Sequence, residues 1–142
     1  MYLKAQIRFQ QQNEQGKFVT KNEVYLVDAV SWTEGEAILY REMELLHNDF
    51  SIKRMDPFKV HDMFLDESID DKYLCNVVYI TENDKGKEKR IPINILVSAT
   101  DVANAHERVN EGLKTTLIPY EIIDVKKSNI LEVFLYQKPE AA

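Results

Sequence analysis

The stretch KGKEKR at 85–90 places Lys85, Lys87, Lys89 and Arg90 within six residues. Cations at that density contact phosphates and give salt-sensitive association with polyanions. Lys126 and Lys127 add two more positive charges downstream. Of opposite sign is DMFLDESIDD at 62–71, where Asp62, Asp66, Glu67, Asp70 and Asp71 offer carboxylate oxygens of the kind that hold a hard cation. That run lacks the central glycine and alternating ligand order of a calcium loop, so it reads as a solvated acidic linker and no metal is assigned to it. His47, His61 and His106 form no spaced ligand set. Nucleophile elbow, Walker loop, dinucleotide fingerprint and zinc-type Cys/His spacing are all missing. Pairs such as Glu42 with Glu44, or Asp124 with Glu132, have no spacing that sets them apart from other surface carboxylates. The sequence thus singles out no catalytic residue and no cofactor.

These charges have ordinary uses too. Lysine-rich hairpin tips aid solubility and block edge-to-edge strand pairing. Aromatic side chains such as Phe9, Tyr25, Tyr73, Tyr79 and Phe134 stack on bases in single-strand binders, but here most recur at inward-facing positions, which makes them core residues first.

The chain has 142 residues, with 18 Lys plus Arg against 24 Asp plus Glu, a net charge of −6. Cut in the middle, residues 1–71 hold 8 basic and 14 acidic groups and residues 72–142 hold 10 and 10, so all the excess negative charge falls in the first half. A globular composition of this length buries a core without disulfide staples. The lone Cys75, inside an apolar run, reads as a buried thiol in a reducing compartment. No apolar stretch approaches the roughly 20 residues of a membrane helix, and MYLKAQIRFQ has no signal-peptide core. A cytoplasmic protein with no membrane partner is expected.

Shifting the chain by 70 places aligns residues 3–66 with 73–136 without a gap. Only nine of the 64 pairs are identical, so the order of features carries the alignment: NEQGK over NDKGK, then LVDA over LVSA, then VHDMFL over ILEVFL. Each repeat reads as β-hairpin, helix, strand. Period-2 alternation marks the hairpin strands, Gly16 and Gly86 supply the turns, and Ser31 and Asp101 are N-cap types ahead of helices over 33–47 and 102–116. Ser31 with Glu34 also fits a capping box. The segments 50–55 and 120–125 read as extended, while 60–65 and 130–135 fit either a strand or a helical turn. A tandem duplication is expected: an α+β single domain with a mostly antiparallel sheet, two helices packed on it and pseudo-twofold symmetry. Repeat one spans 2–66, the acidic linker 67–71, repeat two 72–136 and a tail 137–142.

YLVDAVSWTEGEA, NDKGKEKR, INILVSATDVANAHERVNEGLK and ILEVFLY together resemble an uncharacterised family of short proteins of unknown function from Bacteroidota-type bacteria and their phages. The resemblance spans Tyr2 to Tyr136, implies a bacterial or phage setting, and transfers no catalytic residue. The chain departs from the family at Gly35, where Ala is usual, an exchange that loosens a helix by about 1 kcal/mol.

The expected function is a non-enzymatic binding, adaptor or structural module that engages a protein partner through its diverged repeats. The acidic half and the basic hairpin are the candidate surfaces. A nucleic-acid binder using that hairpin is the alternative, and a small-molecule enzyme with a pocket at the repeat junction is a third. Cytoplasm or phage particle, oligomeric state and partner identity are left open by the residues.

Overall fold

The structure is a computed structural model that describes residues 1–135. Tyr136 and the expected tail at 137–142 lie outside the described residues. The chain divides into two compact units, residues 1–59 with 129 onward, and residues 60–128.

In the first unit, alternation builds the hairpin β1 (Tyr2–Gln12) and β2 (Phe18–Asp28). Leu3, Ala5, Ile7 and Phe9 point to one face of β1, and Tyr25 and Val27 to the same face of β2. The turn needs positive φ, which Gly16 supplies at 79°. Asn13 Oδ1 accepts hydrogen bonds from the amides of Gln15 (3.0 Å) and Lys17 (2.9 Å), holding that turn shut. Helix α1 (Trp32–Glu44) starts where Ser31 Oγ accepts the Glu34 amide at 3.2 Å. It lays Ile38, Leu39 and Met43 on the apolar face of the sheet. Strand β3 (Phe50–Pro57) then pairs antiparallel with β1.

The second unit repeats this plan. The hairpin is β5 (Lys72–Glu82) and β6 (Glu88–Ser98), turned at Gly86 with φ 75°, and Asn83 repeats the two turn bonds to Lys85 and Lys87 at 2.9 Å. Helix α2 (Val102–Gly112) is capped by Asp101 Oδ1 on the Asn104 amide at 2.7 Å, while Asn104 Oδ1 accepts the Thr100 amide at 3.0 Å. Strand β7 (Tyr120–Lys127) pairs antiparallel with β5. Backbone register coincides at the 70-residue offset: Leu3 faces Val27 as Tyr73 faces Val97, and the bulge between Gln6 and Ile7 recurs between Asn76 and Val77.

The two segments that local sequence left undecided are strands, β4 (Asp62–Phe64) and β8 (Ile130–Phe134), and both are parallel to their neighbours. Their partners are distant in sequence. β4 follows β3 in sequence but lies beside β6, and β8 follows β7 but lies beside β2. The strand orders are β3-β1-β2-β8 and β4-β6-β5-β7. The class is α+β, with the strands in two four-stranded sheets instead of one. No helix among the described residues is long and apolar enough to cross a membrane.

Both helices stop earlier than periodicity suggests. After Met43 there is no further apolar face to bury: Leu45 and Leu46 are exposed, and the amides of Leu46 (3.0 Å) and His47 (2.8 Å) both close on the Met43 carbonyl. In α2 the chain leaves at Gly112 before the β-branched Thr115 and Thr116.

Two glycines sit under close contacts. A Cβ at Gly112 would stand 2.3 Å from the Phe64 ring of β4, whereas one at Gly35 would meet the flexible tip of Leu3 at 2.8 Å. Gly35 is therefore a close-packing position of α1 against β1, the ordinary reason for a glycine inside a helical pattern. Gly112→Ala is expected to lose about 1–3 kcal/mol by overpacking. Gly35→Ala should be near neutral, because about 1 kcal/mol of helix propensity offsets the crowding. Urea unfolding of the two variants checks this; equal effects would contradict the packing of Phe64 beneath α2.

Candidate functional site

Where two units share one backbone frame, the positions that change chemical class are informative. On the helix-facing side of β2 the first unit has Glu23 and Tyr25, while the second unit has Ile93 and Ile95 at the same register positions of β6. After the helix, His47 stands where the second unit has Leu117. The first unit has thus placed polar groups at the rim of its apolar face.

They touch one another. Tyr25 is 2% exposed, and its hydroxyl donates to the Glu23 carboxylate. Burial, followed by that hydrogen bond and the negative charge of Glu23, pushes the Tyr25 phenol well above its ordinary value. The Phe134 ring of β8 stacks on Tyr25 with centroids 5.5 Å apart. The His47 imidazole stacks on Phe9 at 3.8 Å and 21°, with Nε2 3.9 Å from Glu23 Oε1. That separation is too long for a hydrogen bond, and the buried Nε2 has no hydrogen-bond partner among the described residues. Hydroxyl and carboxylate share one hydrogen bond, and the imidazole completes a row of three polar groups. The phenol proton is committed to Glu23, so the row offers no activated nucleophile.

Beside this row lies an open groove of about 680 Å³, lined among others by Phe9, Phe18, Glu23, Leu46, His47 and Asp49. Phe18 is 69% and Leu46 60% exposed, so two large apolar side chains stand in water at its lip. Its charged lining residues are carboxylates, Glu23 and Asp49. Among the described residues no group of three or more His, Cys, Asp or Glu is placed to hold a metal ion.

The residues singled out from sequence fall elsewhere, in the second unit. Lys85 and Lys87 occupy the β5–β6 turn, and Lys89 and Arg90 the start of β6. Arg90 is drawn to Glu121 at 2.7 Å and Glu88 at 3.4 Å, and these bonds raise its pKa. With Glu82, Asp84 and Glu88 beside them, the four cations of the tip face three carboxylates. Lys126 and Lys127 end β7, and Lys127 Nζ lies 3.6 Å from Asp71 Oδ2. Asp66 accepts from the Ser68 hydroxyl (2.6 Å) and amide (2.9 Å) and approaches Arg108 at 3.3 Å; the Ser68 bonds chiefly lower its pKa. Asp62 opens β4, while Glu67 and Asp70 lie in the connection to β5. Among these candidates, the structure joins Asp71 to Lys127 as an ion pair.

Folding also regroups the charge. Residues 60–128 carry 9 basic and 13 acidic groups, net −4, and residues 1–59 with 129–135 carry 8 and 10, net −2. The −6 and 0 of the sequence halves disappear because the acidic run folds into the unit that holds the lysines. The cluster at Glu23, Tyr25 and His47 was missed from sequence, although its signal was present in three repeat pairs that set a polar residue against an aliphatic one.

Two buried groups titrate late. Burial first, then Asp124, pushes the Cys75 thiol from an ordinary value near 9 up to about 11, and Tyr25 is raised as well. Above pH 9 the folded chain therefore holds protons that the unfolded chain has released, and that difference opposes folding. Stability should be complete below about pH 9 and decline as pH rises toward 11. Thermal unfolding across that range reads it; a flat profile would contradict the burial of both groups.

No curated protein and no solved structure matches the chain. A family model does match, over residues 1–136, and its description is a domain of unknown function, DUF4494. The match takes in every strand among the described residues, and the chain belongs to that family.

Proposed function

We propose that the protein is a non-enzymatic binding module that takes a protein partner at the groove of the first unit. The observation that carries this reading is the exposure of Phe18 and Leu46 at the lip of a groove whose counterpart positions in the other unit are differently equipped. A tandem duplication belongs to the same reading: the shared register at offset 70 is the inherited frame, and Glu23, Tyr25 and His47 are the diverged equipment. An intracellular bacterial or phage setting is part of the proposal, supported by the family resemblance and the single reduced cysteine.

Covering two half-exposed large apolar side chains contributes roughly 2–4 kcal/mol to association. The carboxylates Glu23 and Asp49 favour a partner segment that brings a cation beside its apolar anchor. The basic second hairpin, the earlier candidate surface, has less support as a protein or nucleic-acid contact. Arg90 is engaged by Glu121 and Glu88, Lys127 by Asp71, and the tip cations are nearly balanced by carboxylates.

Affinity capture with matched variants tests the reading. Phe18→Ser with Leu46→Ser alters exposed positions, so the fold should persist while partners recovered by the wild-type chain are depleted at least tenfold, about 1.4 kcal/mol. The chain with Lys85, Lys87, Lys89 and Arg90 changed to Gln should capture as the wild type does. Loss in the second variant and retention in the first would overturn the groove in favour of the hairpin.

A further inference from the structure

Neither repeat closes its own sheet. In both units the hairpin strand β2 or β6 is finished by a parallel strand that arrives from the other repeat. Register is the same in both cases: Tyr25 faces Glu132, Leu26 faces Val133 and Val27 faces Phe134, as Ile95 faces Asp62, Leu96 faces Met63 and Val97 faces Phe64. We propose that the β2 edge of one chain also accepts β8 of a second copy, so that the protein forms a strand-exchanged dimer in equilibrium with the closed chain.

Three observations support this. First, β8 is seated on first-unit residues of β2: Phe134 stacks on Tyr25 at 5.5 Å, and Ile130, 3% exposed, faces Val24. A strand from another copy makes the same contacts, so exchange loses none of them. Second, the connection that delivers β8 is only Ser128 and Asn129, between Lys127 at the end of β7 and Ile130. The Ser128 amide is tied to the Lys72 carbonyl at 2.8 Å, which fixes the start of that hinge to the second unit. Third, with the β2 contacts kept in both forms, the balance turns on hinge geometry and concentration, and a two-residue hinge is the kind that shifts most readily toward exchange. Three Cα steps span at most roughly 11 Å, so one residue more or less changes what the closed chain can reach. The occupant is thus a second copy of this chain, and the proposal stands independently of the groove.

Hinge length is the variable that separates strand exchange from an ordinary surface dimer. The full chain, a version with Asn129 deleted and a version with four Gly/Ser residues inserted after Asn129 are each refolded at high concentration. Each is then sized by gel filtration with light scattering, with circular dichroism to confirm folding. The deletion should raise the dimer fraction severalfold over wild type, and the insertion should reduce it below wild type. The same distribution in all three, including none dimeric, overturns the proposal, because a surface dimer is indifferent to hinge length. If the deleted chain does not fold, wild type against the inserted chain decides: a dimer in the first that is lost in the second supports exchange, and equal behaviour overturns it.

Discussion

The outer edge of a hairpin strand is a row of backbone N–H and C=O groups that must be paired or left to water, and a long uncovered edge invites association. In this chain β2 and β6 each have one edge against their hairpin partner and the other against a short parallel strand from the opposite half of the sequence. That reciprocal cover is the constraint on which the rest depends. It places Phe134 over Tyr25 and Phe64 beneath α2, and it joins the acidic segment before β5 to the unit that contains the basic hairpin.

The same exchange changes what the charge pattern means. A polypeptide read in halves has one acidic and one neutral part; folded, it has two mildly acidic units whose charged residues partly pair within one unit, as Asp71 does with Lys127 and Asp66 with Arg108. Differences between the units then reside less in net charge than in the rim of the apolar face. There Glu23, Tyr25 and His47 stand against Ile93, Ile95 and Leu117. A polar row beside exposed Phe18 and Leu46 distinguishes one unit from the other more sharply than the lysines do.

Much of the frame was legible from local chemistry. Gly16 and Gly86 in turns that open on an Asn, the caps Ser31 and Asp101, and the inward alternation of Ala5, Ile7 and Phe9 each act within a few residues, and each appears where the sequence places it. The closing strands were not legible, because VHDMFL and ILEVFL satisfy a strand and a helical turn equally and their partners lie in the other half of the sequence. The helix ends were overestimated for a related reason: Leu45 and Leu46 continue the apolar pattern of α1, yet both remain exposed. The polar row escaped notice because Glu23 and His47 are brought together only when α1 folds back over β2, and nothing in their spacing encodes that approach. The basic residues were easy to see and weak as evidence, since Arg90 and Lys127 find their partners, Glu121 and Asp71, far away in sequence.

Reciprocal cover of the hairpin edges is tested most directly by residue-resolved amide hydrogen exchange on a chain carrying Val133→Pro, which removes one β8 donor and disrupts its pairing. The account predicts faster exchange at Val24–Val27, where β8 lies in the wild-type chain, with Ile95–Val97 unchanged under the cover of β4. Faster exchange at Ile95–Val97, with Val24–Val27 still protected, would mean that β8 covers β6 and would contradict it.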